Sequence, residues 1–176
     1  MIVYLLRHAS AGQHTLNSKE DEKRPLDKEG EKQSRDVGRA FAALKIEVDV
    51  VVSSPLTRAL QTARIAAKEF GLDDKIVTDD SMRPEASYDQ FQDLLSRYRK
   101  NKAILVVGHN PSITEFVQRQ LTGNESRDWF EFKKGAVVKL EVEGQKATLN
   151  WVITPKLVRV LQTASTSNSR PKTLRK

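Results

Sequence analysis

The chain is 176 residues long, 38% hydrophobic and 30% charged, a balance that suits one ordinary soluble domain with its own core and excludes a multidomain machine. It contains no cysteine, so disulfides, thiolate metal sites and cysteine nucleophiles are ruled out, and its three histidines leave little material for a histidine-rich metal cage. The formal charge of +7 is uneven, because Arg170, Lys172, Arg175 and Lys176 stand in residues 164–176 with no acid among them; this Ser/Thr-rich stretch is expected to be a solvated, disordered tail on a domain of residues 1–163, in preference to a nucleic-acid-binding arm.

Residues 1–6 are too short an apolar run for a signal-peptide core and lack a basic region before them. No apolar run approaches bilayer length, so a cytoplasmic protein with no membrane partner is expected. Residues 2–6, apolar with β-branched and aromatic members, read as a strand feeding the polar loop Arg7-His8-Ala9-Ser10-Ala11-Gly12. The mixed-sign run Lys19-Glu20-Asp21-Glu22-Lys23-Arg24 reads as a solvated loop, with Arg24 set apart below. From Asp27 the pattern turns helical, with Val37, Phe41 and Leu44 at i, i+4 and i+7. Residues 48–53 form a second buried strand. Ser54-Pro55 then predicts a helix start with proline at the first helical position, carrying Arg58 on its first turn and stopping at Gly71.

Ile76-Val77 is a weak third strand, and Tyr88, Phe91, Leu95 and Tyr98 mark an amphipathic helix ending near Lys100. Residues 103–107 are a continuous apolar run that ends at Gly108-His109-Asn110-Pro111, followed by a helix bearing Ile113, Phe116, Val117 and Leu121. Residues 135–142 and 147–153 read as two closing strands joined through Glu143-Gly144. Trp129, Phe130 and Phe132 are expected in the core, and Trp151, alternating with Leu149 and Ile153, on the sheet.

This alternation predicts an α/β fold, a three-layer α/β/α sandwich with a mainly parallel central sheet. Ligands of such sheets bind beyond the carboxyl ends of the strands. Arg7 and His8 end the first strand, Ser53 and Ser54 the second, and His109 the fourth, so three strand ends deliver polar groups to one edge. Two arginines and two histidines make an anion site, and the guanidinium fork matches phosphate oxygens where a lysine point charge does not. The helix beginning near Asn110-Pro111 adds N-terminal amides and a favourable dipole. A neutral imidazole there can attack phosphorus and form a phosphohistidine intermediate, while cations and a second histidine hold the transferring oxygens. Spacing alone leaves open whether His8 or His109 attacks.

Leu5-Leu6-Arg7-His8-Ala9, then Ser53-Ser54-Pro55-Leu56-Thr57-Arg58-Ala59-Leu60-Gln61-Thr62-Ala63, then Val106-Val107-Gly108-His109-Asn110 stand in the chain in this order. They resemble the three blocks of the histidine phosphatase superfamily, whose fold is phosphoglycerate mutase-like, with Ala9 where the signature has glycine. Arg24-Pro25-Leu26 with Gly30, and Asn150-Trp151 with Pro155, are similar to the small phosphohistidine phosphatases of the SixA type. The resemblance implies His8 as nucleophile and phospho-acceptor, Arg7, Arg58 and His109 as phosphoryl-binding groups, Arg24 and Asn110 at the phosphate or substrate, and neither metal nor organic cofactor. It also implies a site left open by the short chain, with phosphohistidine on a signalling or phosphotransfer protein as substrate.

Relatives that cleave phosphate esters carry a carboxylic acid after the third strand, and Met82-Arg83-Pro84-Glu85-Ala86-Ser87-Tyr88-Asp89 offers Glu85 or Asp89, with Glu85 preferred. A weak or missing acid favours phosphohistidine, because imidazole leaves more readily than an alkoxide. A small phosphate ester in the same pocket and a non-catalytic binder of polyanions or phosphoproteins are the alternatives. His14, Asn17 and Ser18 read as loop residues, with a place on the site rim open to them.

Overall fold

The computed structural model describes residues 1–14, 16–123, 131–144 and 146–167, with the backbone alone for residues 165–167. Six strands, β1 (Ile2–Arg7), β2 (Val50–Ser53), β3 (Ile76–Thr78), β4 (Ala103–Gly108), β5 (Val137–Glu143) and β6 (Lys146–Ile153), form one sheet in the order β3-β2-β4-β1-β5-β6. The first four are parallel; β5 runs antiparallel on β1, and β6 antiparallel on β5. The helices are α1 (Ser18–Lys23), α2 (Lys28–Ala43), α3 (Thr57–Lys68), α4 (Tyr88–Arg97), α5 (Ser112–Thr122) and α6 (Pro155–Ser167), with a 3₁₀ turn over Asp80–Met82.

The period-2 alternation of β1 divides the core in two. Val3 and Leu5 pack with Ile104, Val106, Phe91, Ile113 and Phe116 on the face covered by α4 and α5. Tyr4 and Leu6 pack with Leu105, Val107, Val37, Phe41 and the alanines of α3 on the opposite face. β4 is buried along its whole length, as a central strand covered on both faces must be, which is why it reads as an unbroken apolar run. Each fully buried aromatic side chain, such as Phe41 or Phe116, contributes about 1.5–3 kcal/mol over its exposed state. Phe132 is buried in the first core, as expected, while Trp129 and Phe130 lie outside the described residues.

The chain leaves β1 for α2 on the second face but leaves β4 for α5 on the first. Adjacent parallel strands whose connections diverge to opposite faces open a crevice at their carboxyl ends. The loop after β1 is fixed there: Ser10 Oγ donates to Asp27 Oδ2 (2.8 Å), and Ser10 N–H to Gln33 Oε1 (2.9 Å). Gly30 is required by this contact, since a Cβ at that position would lie 1.8 Å from the Ser10 carbonyl oxygen. Ala9 is fully buried and has no left-handed backbone, so the side chain it has in place of glycine is tolerated.

Four local expectations are corrected. Residues 18–23 form a helix capped by Asn17, with Asp21 buried, instead of a solvated loop. α3 begins at Thr57 after Leu56, so Pro55 precedes the helix; the Ser54 hydroxyl is engaged by Leu56 N–H (3.3 Å) and His109, which holds the turn before the helix starts. On β6 a bulge leaves Asn150 out of register, so Trp151 packs near Tyr4 (ring centroids 5.8 Å apart) while Leu149 is 40% exposed. The sequence also passed over α6, which packs on α2 and continues through residues 164–167. Residues 168–176 lie outside the described residues.

Candidate functional site

β1 and β4 end side by side, with Arg7 opposite Gly108 in the parallel register and His8 N–H donating to the Gly108 carbonyl (2.9 Å). His8 and His109 therefore face each other across the crevice, ring centroids 4.9 Å apart, both buried. Arg58 reaches them from the first turn of α3 and is 5% exposed. The fold thus gathers Arg7, His8 and His109, which the sequence placed at strand ends, with Arg58, which it placed on the first turn of the following helix.

Each imidazole is held through one ring nitrogen by a neighbour. His8 Nδ1–H donates to the Ala9 carbonyl oxygen (2.8 Å), which leaves the Nε2 lone pair unprotonated in the neutral ring. His109 Nε2 lies 2.9 Å from Ser54 Oγ, which also accepts from Leu56 N–H (3.3 Å); with the hydroxyl donating to Nε2, the His109 proton sits on Nδ1. Burial pushes His8 down to about 3, against the upward pull of the Ala9 bond and with the charges of Arg58, Arg7 and Lys134 adding to the fall. Burial, then the charges of His8, Arg58, Arg24 and Arg7, take His109 down to about 2. Both rings are neutral at neutral pH.

Three buried nitrogens in this cluster have no partner: Arg7 Nε, Arg58 Nε and His109 Nδ1. A buried N–H without an acceptor costs about 1–3 kcal/mol, a cost that an oxyanion accepting from all three would relieve. Each guanidinium is tied down through Nη1. Arg7 Nη1 donates to the Phe132 carbonyl (2.6 Å) and Arg58 Nη1 to the Asp21 carbonyl (2.8 Å). Burial lowers the pKa of both arginines, yet a guanidinium stays charged. An unprotonated imidazole nitrogen beside two fixed cations and an unpartnered imidazole N–H can bind a phosphoryl group and attack it.

Arg24 stands at the rim, with Nε on Asp21 Oδ1 (2.9 Å) and Nη1 on the carbonyls of Ala11 (3.2 Å) and Gly12 (2.8 Å). Asn110 adjoins Arg7 through a shared acceptor, its Nδ2 donating to the Phe132 carbonyl (3.4 Å) while its Oδ1 accepts from Thr114 (2.8 Å). Glu85 is exposed on the turn after the 3₁₀ segment, and no hydrogen bond or ion pair joins it to the four clustered residues. Asp89 is exposed on the first turn of α4. His14 is an exposed rim residue, 3.8 Å from Asp21 Oδ1.

Sequence reasoning missed several parts of this site. Ser54, which the sequence placed at this edge without a role, holds His109 through Nε2 (2.9 Å), and Thr62 holds the loop after His8 by accepting from Ala9 N–H (3.1 Å) and donating to the Arg58 carbonyl (2.7 Å). The Gly135 amide donates to the carbonyls of Arg7 (3.1 Å) and His8 (3.2 Å), which brings the exposed Lys134 close enough for its charge to act on His8. Asp21 was hidden in a charge run whose only signal was its i,i+3 spacing to Arg24. Among the described residues, no group of three or more His, Asp or Glu side chains is arranged to hold a metal ion, and no helix is long and apolar enough to cross a membrane.

Residues 3–97, more than half of the chain, match the family model of the histidine phosphatase superfamily (branch 1). Phosphohistidine phosphatase SixA of Escherichia coli (strain K12) is 27% identical over 161 residues, which are 88% of this chain and 94% of the relative. The solved structure of the protein histidine phosphatase SixA complexed with tungstate superposes with a TM-score of 0.79 at 23% identity, covering 89% of this chain and 98% of that one. The alpha-ribazole phosphatase from Shigella flexneri shares the fold at a TM-score of 0.69 and 16% identity, over 88% and 97% of the two chains. At these identities the structural likenesses establish the fold and leave the substrate open. The chain belongs to the histidine phosphatase superfamily and is a phosphatase with a catalytic histidine.

Proposed function

We propose that the protein is a phosphohistidine phosphatase in which His8 is the nucleophile and phospho-acceptor. The observation that carries the assignment is the His8 ring itself: its Nδ1 proton is fixed on the Ala9 carbonyl, its Nε2 lone pair is free, and burial keeps it neutral. His8 Nε2 attacks phosphorus in line as the bond from phosphorus to the substrate's imidazole nitrogen breaks. When the substrate ring is protonated on its other nitrogen, it departs as neutral imidazole. Arg7 Nε–H, Arg58 Nε–H and His109 Nδ1–H bind the equatorial oxygens, where negative charge is spread in the transition state. Phospho-His8 keeps its Nδ1 proton, so the ring is cationic and is itself a good leaving group. Water then attacks phosphorus, the P–N bond breaks with its electron pair returning to Nε2, the water proton passes to solvent, and orthophosphate leaves.

The phosphohistidine substrate is supported by leaving-group chemistry and by the relative of that name. An alkoxide leaves poorly without a proton donor, whereas imidazole has a conjugate acid near neutral pH. Glu85, the residue proposed as that donor for esters, is exposed and unconnected to the cluster. The cations Arg24 and Lys134 at the rim suit an acidic face on a signalling or phosphotransfer protein in the cytoplasm. Steady-state turnover of a phosphohistidine-bearing phosphotransfer protein and of an aryl phosphate tests this choice. The phosphoprotein is expected to be the better substrate by kcat/KM. A far better aryl ester gives the site to small phosphate esters, and binding of the phosphoprotein without turnover of either makes the chain a binding module.

A further inference from the structure

Asp21 belongs to a run of alternating charge, yet it is 9% exposed and lies against two arginines of the site. Its Oδ1 accepts from Arg24 Nε at 2.9 Å, its Oδ2 is 3.3 Å from Arg58 Nη1, and its backbone carbonyl accepts from the same Nη1 at 2.8 Å. A guanidinium is a planar fork that turns about its last side-chain bonds. With Nη1 held from both the carbonyl and the carboxylate of one residue, that plane is fixed, and the Nε–H left over is the buried, unpartnered donor of Arg58. The partner that fixes it is carried by α1, six residues long, which is clipped to the far rim by Glu22 on Arg83 Nη1 (2.9 Å).

We infer that Asp21 is a positioning residue for the phosphoryl site: by holding Nη1 of Arg58 it presents the Nε edge of that guanidinium to the transferring phosphoryl group. The inference rests on the function proposed above, in which Arg58 binds that group. Asp21 touches no reacting atom; it acts through Arg58, and through Arg24 at the rim. Because the aim of Arg58 matters most where charge develops on the equatorial oxygens, its loss falls on kcat more than on KM.

The test compares full-length wild type, Asp21→Ala, Asp21→Asn and Glu22→Ala on one phosphohistidine-bearing protein, with competitive inhibition by inorganic phosphate measured in parallel. Asp21→Ala is expected to lower kcat by roughly 10- to 100-fold, as a misplaced catalytic group does, with a smaller change in KM and weaker inhibition by phosphate. Asp21→Asn keeps an acceptor oxygen and the backbone carbonyl, and is expected to recover much of the lost kcat. Glu22→Ala releases the other clip of α1 without touching Arg58 and is expected to leave turnover within about twofold of wild type, as a surface ion pair warrants. Unchanged kcat in Asp21→Ala, or an equal loss in Glu22→Ala, overturns the inference, the latter because docking of α1 would then matter and the Asp21 carboxylate would not. If Asp21→Ala does not fold, Asp21→Ser, polar but too short to hold Arg58 Nη1, takes its place: an unaltered kcat and phosphate inhibition constant in that variant also overturns it. Acid-labile phosphoenzyme formed by wild type in the same assay separates a failure of this inference from a failure of the proposed function.

Discussion

Two neutral imidazoles packed against two guanidinium groups make the fold sensitive to acid in a defined window. His8 falls from 6.5 to about 3 and His109 from 6.5 to about 2 on folding. The folded values are depressed, so between these limits the unfolded chain binds more protons than the folded one. The contribution of each ring is therefore fully present above pH 6.5 and is lost as the pH falls toward the folded values. At pH 5 each ring lies about 1.5 pH units below its unfolded value, and at 1.36 kcal/mol per unit this costs about 2 kcal/mol per histidine, about 4 kcal/mol for the pair. Asp27, whose bonds from Gly30 N–H and the Ser10 hydroxyl outweigh the burial that opposes them, titrates below the ordinary aspartate value of 3.8 and stays out of this window. Urea unfolding followed by circular dichroism at pH 8 and pH 5, in buffer free of phosphate and other oxyanions, measures the loss. Wild type should lose about 4 kcal/mol between the two and His109→Asn about half of that. Equal stability at both pH values, or an equal loss in wild type and variant, refutes the claim that the two rings are buried and neutral.

Other expectations follow from single contacts. Arg58→Lys keeps a charge but loses the planar fork and its Nε–H, and should lower kcat/KM by roughly 100-fold or more in steady-state assays; activity within threefold of wild type contradicts the role given to that edge. Gly30→Ala places a methyl group 1.8 Å from the Ser10 carbonyl, and the forced shift should cost about 1–3 kcal/mol in urea titrations; wild-type stability would show that the two backbones separate freely. Glu85→Gln should leave phosphohistidine turnover unchanged, and a tenfold fall there would make Glu85 the proton donor after all.

The sequence carried the site further than it carried the local geometry. Arg7, His8 and His109 were legible because strand ends in a parallel sheet converge on one edge, and Arg58 because it stands on the first turn of the helix that follows such an end, consequences of topology that need no knowledge of side-chain contacts. The burial of β1 and β4 was legible for a similar reason, since strands covered on both faces are written almost wholly in apolar residues. The partners of the two rings were not, because the hydroxyl of Ser54 and the carbonyl of Ala9 act through distances that no spacing rule fixes. α1 was hidden because a six-residue helix has too little apolar content to show a period; its reason for folding is the pair of long-range bonds from Asp21 to Arg58 and from Glu22 to Arg83. The bulge at Asn150 was equally invisible, since an extra residue in a strand changes the register without changing the composition.

The central claim is that His8 carries the phosphoryl group between substrate and water. Wild type and His8→Ala, mixed with a phosphohistidine-bearing protein and quenched in alkali within the first turnover, can be digested and mapped by mass spectrometry for acid-labile phosphate. The account predicts phosphate on the peptide that contains His8 in wild type, and neither adduct nor turnover in His8→Ala. Phosphate found on His109, or a His8→Ala protein that turns over like wild type, would contradict it.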